Sequence, residues 1–565
     1  MMKLGKSMFY LRLILATTLL CVVARGSGQV GVSTGLGTDA VWQWSVAVDG
    51  HLDQNSDARA FLWIPEDCVK VRGFILAQNN MEEIMILENP VFRRAMSRLG
   101  FAEIWISPFF DHLFRFNEGA GDIFNKMVSD LAAVSGYSEL KVAPVVTLGH
   151  SAAASWPYYF AAWNPGRTLA ALSVSGQWPY FRSPVFAPDI WRKDQNIDFI
   201  PSLETMGEYE NADTWSMEGL KERSEHPYMP LSMLACPGEG HFAATDKKAA
   251  YLALYIKKAA EYRLPKIYPA SGAPKLRPID PTKTGWLLPV WRRDSDFEAE
   301  PAPVADYKGD PKRAFWFFDE QMARATLAYE LEGRGKEPSF IQYIQQGEIV
   351  PIHETHQLVD LQFIPKADGI SFDLKAGFAD RVPAGSAATE KWTKLPAGHP
   401  LQYPRDGIPV DIEPFWGQVT KKNGVFSLQF KRGMRVMGEH LEAWFIAAHP
   451  GDQAFKPVSL QAKMDIPLRN MTGRPQSITV PPLADQRIGK GAIELKALSS
   501  SGLPVQYYVR EGPAIIKDNM LVFTDLPPRA RFPVKVTVVA CQYGRSVAPK
   551  VQSAKPVIFS FMLTK

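Results

Sequence analysis

Cysteine is scarce in this chain, with four in 565 residues. With Cys21 in the N-terminal segment set aside, Cys68, Cys236 and Cys541 remain, scattered over hundreds of residues. An odd number at that spacing excludes a disulfide scaffold and zinc-finger ligation and allows at most one bridge. Charge of one sign is also missing: Lys plus Arg number 63 against 59 Asp plus Glu, with no block of like charges. A protein that grips nucleic acid needs a basic stripe to displace counterions, so that class is set aside. Long apolar runs are absent too. The run Leu13 to Ala24 is about twelve residues, short of the roughly 20 that a membrane-spanning helix needs. No solenoid-length repeat and no P-loop is visible, and Gly119-Ala120-Gly121 lacks dinucleotide-fingerprint spacing. A composition 46% hydrophobic and 22% charged excludes disorder, collagen and coiled coil.

What is present begins with Lys3, Lys6 and Arg12 ahead of the apolar run, the pattern of a secretory signal peptide over residues 1–24. Val22 and Ala24 offer small residues for cleavage, and a site nearer Gly28 is equally arguable. Leu20 is too large for lipidation at Cys21. Removal after Ala24 would lower the formal net charge from +4 to +1, leaving a protein expected to be secreted or periplasmic and not membrane-spanning. The length then calls for three to four units of roughly 150 residues. Residues 36–270 alternate short apolar strands (Arg72 to Ala77, Ala102 to Ile106, Ala143 to Leu148, Leu169 to Ser175, Phe199 to Met206, Pro230 to Ala235) with helical runs at Pro90 to Leu99, Asp122 to Ser135 and Thr245 to Tyr262. That pattern predicts an α/β domain on a mainly parallel sheet. Residues 271–337 read as a Pro-rich, charged connector followed by a helix, Pro311 to Leu331, whose aromatics Phe315 to Phe318 pack on the first domain. Short alternating strands with Gly and Pro turns then predict an all-β sandwich region in two units, 338–460 and 465–565, the second immunoglobulin-like.

The most informative stretch is Val145 to Ser155. An apolar strand runs into Gly149-His150-Ser151-Ala152-Ala153, and a small-residue helix start follows. It resembles the nucleophile elbow of the α/β-hydrolase family, with Ala153 in place of the second glycine of G-x-S-x-G. A strained turn presses the residues two before and two after the serine against neighbouring strands, and Gly149 and Ala153 are small enough. The resemblance covers roughly residues 40 to 265 and implies a serine esterase with chain order serine, acid, histidine. Of ten histidines, only His226 and His241 follow the elbow within the α/β region. His241 lies in a Gly-rich loop between the last strand and the last helix, whereas His226 sits in a charged run. The acid is expected after the strand ending at Met206. The family's G-x-x-D turn matches Gly207 to Glu210, making Glu210 the choice, with Asp213 and Glu208 as alternatives.

In this reading Ser151 attacks an acyl carbon, His241 moves the proton, and Glu210 fixes the imidazole. The Ala152 backbone N–H is one oxyanion donor. The loop Gln78-Asn79-Asn80-Met81 departs from the family's His-Gly-Gly. Asn80 is the expected second backbone donor there, with Asn79 close behind. Trp178 follows a strand at the sheet edge and could stack on a sugar ring or lie in the core. Export, abundant aromatics and appended β modules resemble polysaccharide-processing esterases that remove acetyl or methyl groups, so the expected partner is an ester-bearing glycan. No cofactor or metal is expected. His353-Glu354-Thr355-His356 lacks the H-E-x-x-H spacing, and Asn470-Met471-Thr472 is a glycosylation sequon. A secreted peptidase, a non-catalytic glycan-binding protein on a hydrolase fold and, last, a metallohydrolase are the rival readings. Oligomeric state is left open.

Overall fold

The computed structural model describes residues 40–53, 57–179, 197–293, 295–353, 358–383, 395–434, 436–437 and 439–565. Residues 1–24, read above as a signal peptide, and Glu354 to His356 of the decoy motif lie outside the described residues.

Eight strands form the central sheet: β1 (Trp44–Ala47), β2 (Arg59–Trp63), β3 (Gly73–Gln78), β4 (Phe101–Ser107), β5 (Val145–His150), β6 (Thr168–Val174), β7 (Ser202–Gly207) and β8 (Leu231–Cys236). Their order is β1-β2-β4-β3-β5-β6-β7-β8. Pairings β1 to β2 and β2 to β4 are antiparallel, and every pairing from β4 to β8 is parallel. This is the α/β-hydrolase fold, reached from the sheet's own order and directions. Every residue of β3 to β8 is buried, which is why these strands read as unbroken apolar runs: helices cover both faces of a parallel sheet. β1 and β2 are only partly buried, and their weaker pattern kept them out of the strands named from sequence.

Local chemistry sets the flanking helices. Pro90–Leu99 starts where Asn89 Oδ1 accepts from Val91 N at 2.8 Å, with Pro90 in the first turn, and stops at Gly100, whose φ is 66°. Asp246–Arg263 is capped by Thr245 Oγ1, which accepts from Lys248 N at 3.1 Å, and ends just before Pro265.

The connector adds structure of its own. Strand Ala314–Phe317 pairs with Trp286–Pro289, which also pairs with Ala302–Pro303, and a helix follows at Glu320–Glu330. The helix expected from residue 311 therefore begins later. An extended partner is available for Ala314–Phe317, and cross-strand pairing wins over local helical periodicity. Phe315, Trp316, Phe317 and Phe318 are buried in one continuous core with the α/β domain.

Beyond it the chain is all β. One set contains Asp411–Trp416, His440–His449 and Val458–Pro467 in a five-stranded sheet, with smaller three-stranded sheets beside it. Val458–Pro467 pairs along its whole length with His440–His449, so the expected break at 460–465 falls inside a strand and the division lies after Pro467. The C-terminal set has a four-stranded sheet of Gln486–Arg487, Val557–Thr564, Val534–Cys541 and Gln506–Glu511 and a three-stranded one. Cys68, Cys236 and Cys541 are buried free thiols. Asn470 of the sequon is buried, and its Nδ2 donates to Val551 O at 2.6 Å, so a glycan there would break a packed contact. Among the described residues no helix is long and apolar enough to cross a membrane.

Candidate active site

The parallel strands deliver three loops to one sheet edge. After β5 the chain makes a single tight turn, Ser151–Ala153, before the helix Trp156–Trp163. Ser151 has φ 54°, a left-handed conformation unusual for serine and typical of strained functional turns. The small neighbours are demanded by contact. A Cβ on Gly149 would sit 2.0 Å from Ala153 O, and one on Gly176, beyond β6, 1.8 Å from Ala154 Cβ.

The turn Glu208–Glu210 follows β7, and the loop holding His241 follows β8. His241 Nε2 lies 2.7 Å from Ser151 Oγ, and its Nδ1 hydrogen-bonds to Glu210 Oε2. Residues 90 and 31 positions from His241 in sequence are thus brought to its two ring nitrogens. The two alternative acids are engaged elsewhere. Asp213 Oδ1 accepts from Arg293 N at 3.1 Å. Glu208 is buried, ion-paired with Arg293 at 3.1 Å and Lys456 at 3.2 Å, and accepts from Gly238 N at 2.9 Å. His226 merely ends the helix Ala212–Glu225.

The oxyanion loop requires a correction. Ala152 N–H stands directly after Ser151 in the turn Ser151–Ala153, the position expected of the first donor. The backbone N–H of Asn80 is taken: it donates to Glu83 Oε2 at 2.9 Å, while Met81 N donates to the same oxygen at 2.7 Å and Asn79 N to Ile106 O at 2.7 Å. What Asn80 presents near the nucleophile is its side chain, whose Nδ2 donates to His150 O at 3.0 Å.

Trp178 requires another. It is 1% exposed, stacks on Phe315 at 5.8 Å and 6°, and donates from Nε1 to Trp215 O at 2.9 Å. The connector strand supplies its partner, so it is a core tryptophan and offers no face to a sugar.

Several residues that shape the site escaped the sequence reading. His150 is buried and donates from Nε2 to His241 O at 3.0 Å, tying the elbow to the histidine loop. Burial holds its pKa well below the ordinary value, so the ring stays neutral. Beneath the elbow, burial pushes Glu82 up to about 8 and Glu83 up to about 7. The β region walls the far side. The Phe242 ring meets Trp444 at 4.6 Å and Phe415 at 5.7 Å. Tyr209 Oη donates to Pro457 O at 3.2 Å. No local signal in a single sequence marks such long-range contacts. Asp53, Asp111 and His112 also cluster, but Arg115 already pairs with both carboxylates, at 2.8 Å from Asp53 and 3.1 Å from Asp111.

No family model matches the chain. No curated protein matches it either. Among solved structures it is similar to a dienelactone hydrolase from Anabaena variabilis, at 15% identity and TM-score 0.27 over 39% of this chain and 98% of that one. An arylesterase is similar at 14% identity and TM-score 0.27, over 40% and 90%. So is Est1E from Butyrivibrio proteoclasticus, at 14% and TM-score 0.24, over 38% and 98%.

Proposed function

We propose that this chain is a serine hydrolase cleaving carboxylic esters through an acyl-enzyme. The observation that carries the proposal is His241 standing between Ser151 Oγ at 2.7 Å and the Glu210 carboxylate. Ser151 Oγ attacks the acyl carbon as Nε2 takes its proton. Glu210 holds Nδ1–H and stabilises the imidazolium. The carbonyl oxygen becomes an oxyanion facing Ala152 N–H. Collapse breaks the ester C–O bond, and the departing alcohol takes the proton from Nε2. Water then repeats the cycle on the acyl-serine and releases the acid.

The finer reading is a secreted carbohydrate esterase that removes acetyl or methyl ester groups from a polysaccharide. The N-terminal export pattern and the β region bordering the site support it; Trp178, being core, does not. Export is itself part of the proposal, and N-terminal sequencing of protein from the cell exterior or periplasm should start after Ala24 or near Gly28.

The test is labelling with a fluorophosphonate beside Ser151→Ala and His241→Ala, with assays on acyl esters and on acetylated or methyl-esterified polysaccharides. Labelling should vanish in Ser151→Ala; persistence there sinks the assignment. Peptide cleavage without ester turnover would favour the peptidase, and glycan binding without any turnover the binding protein. Glu210→Gln should lower kcat by about 10⁴, as removal of a triad acid's charge does, while Asp213→Asn leaves it near wild type.

A further inference from the structure

Resting on the ester-hydrolase reading, we propose that Glu83 is the positioning residue of the oxyanion hole and that the donor it positions is the Asn80 side-chain carboxamide. Glu83 is 0% exposed and opens the short helix Glu83–Leu87. One of its oxygens accepts from Asn80 N at 2.9 Å and Met81 N at 2.7 Å, and the other from His150 N at 2.8 Å. A single planar group therefore spans the loop after β3 and the residue immediately before the nucleophile. A carboxylate has about four acceptor sites, and three of these are filled by backbone donors, two from the loop after β3 and one from the end of β5.

The same peptide is clasped twice. Glu83 takes the N–H of His150, and Asn80 Nδ2 donates to the C=O of His150 at 3.0 Å. An amide nitrogen carries two hydrogens. The first is spent on His150 O; the second has no partner among the described residues and sits one peptide from Ser151. With the backbone N–H groups of Asn79, Asn80 and Met81 all engaged and the Asn79 carboxamide turned toward Trp105, whose Nε1 donates to its Oδ1 at 3.3 Å, the Asn80 carboxamide, anchored on His150 O beside the elbow, is the donor of this loop placed to pair with Ala152 N–H. A side-chain amide can fill that role as well as a backbone group, provided it is fixed before the charge develops. Glu83 fixes it through the Asn80 backbone. Asn80 in turn reaches the elbow only because Glu83 sets the separation of loop and strand.

A purely structural Glu83 would lower stability and leave the folded enzyme's turnover alone, so the test reads both. Wild type, Asn80→Ala, Glu83→Gln and the double variant are compared for kcat and KM on p-nitrophenyl acetate, fluorophosphonate labelling rate and Tm. Glutamine keeps the shape but turns an NH₂ toward backbone donors, breaking at least one arm of the bracket. Each single variant should lose about 10²–10³ in kcat, the usual effect of one oxyanion donor, with KM little changed. The double variant should be no slower than Asn80→Ala, because both changes remove one function. Multiplying losses would separate Glu83 from Asn80 and overturn the proposal, as would Glu83→Gln turning over like wild type. Should Glu83→Gln fail to fold, Asn80→Ala keeps all three Glu83 bonds, and its unchanged kcat would overturn the donor assignment alone. A wild type that is not labelled, or labelling that survives Ser151→Ala, would instead overturn the ester-hydrolase reading.

Discussion

The two halves of the site are held by different parts of the molecule. The nucleophile half, Ser151 with the loop after β3, is locked within the α/β domain: Gly149 lies against Ala153, Gly176 against Ala154, and Glu83 brackets three backbone N–H groups. The histidine–acid half is held from outside. Lys456 pairs with Glu208 at 3.2 Å, a Cβ on Gly238 would stand 2.7 Å from Pro457 O, and Trp444 and Phe415 face Phe242. Half of the candidate site therefore packs against a region that supplies none of its three triad residues. The β region is a brace for Glu210 and His241 as well as a wall, and changes in it should reach the chemistry through those loops.

The sharpest way to break the nucleophile half is Gly149→Ala. The added methyl would lie 2.0 Å from Ala153 O and 2.9 Å from Ala153 C. These are backbone atoms of the strained turn itself and cannot step aside, unlike the end of a flexible side chain. The cost should exceed the roughly 1–3 kcal/mol of ordinary overpacking. Fluorophosphonate labelling should become undetectable and Tm should drop; labelling at the wild-type rate would show that the turn has slack.

Breaking the other half should cost less turnover and reveal the brace. Glu208→Gln removes a buried charge that faces Arg293 and Lys456 and accepts from Gly238 N. Removing one partner of a buried pair typically costs about 3–5 kcal/mol; the two cations here keep some water contact, so the lower end is expected. Because Glu208 joins the acid turn, the histidine loop and the β region, kcat should fall about tenfold, roughly 1.4 kcal/mol of barrier. Steady-state kinetics and thermal melts decide this. Lost stability with unchanged kcat would make the brace a matter of folding only.

The difference between the halves also explains what could be read from the residues. The elbow is legible because its constraint is local: Gly149, Ser151 and Ala153 meet within five positions, and strand-turn-helix patterning surrounds them. The order of Glu210 and His241 is what the family resemblance implies, and strand succession only supplied the loops in which to look. Glu83, and the ion-paired role of Glu208 that the reading offered only as an alternative acid, are invisible to that approach. Their partners lie 67 and 248 positions away, and the common fate of a glutamate is solvent. Asn80 was legible as a position but not as a group, since only the fold shows that its N–H is spent on Glu83. Trp178 misleads for the same reason: its partner Phe315 arrives from the connector.

Beneath the nucleophile half lies a difference in charge that a pH titration can sharpen. Glu208 sits between two cations, whereas Glu82 is fully enclosed, and burial, with Glu239 and Glu83 adding to it against Lys248, raises its pKa from 4.5 to about 8. A carboxyl whose pKa is higher when folded binds its proton more tightly in the native state. Its contribution to stability is therefore complete below about 4.5 and is lost as pH rises toward 8. Glu103 and Glu330, also raised to about 8, act in the same direction. Tm should accordingly fall as pH rises across that window. Glu82→Gln, neutral at every pH, should make the fall shallower while leaving the shares of Glu103 and Glu330. The effect is the smallest of the three, because one group among several is removed and the amide keeps its shape. An unchanged slope of Tm against pH in Glu82→Gln would mean that Glu82 does not titrate in the folded protein over this range. The electrostatic contrast between the halves would then reduce to the cations around Glu208.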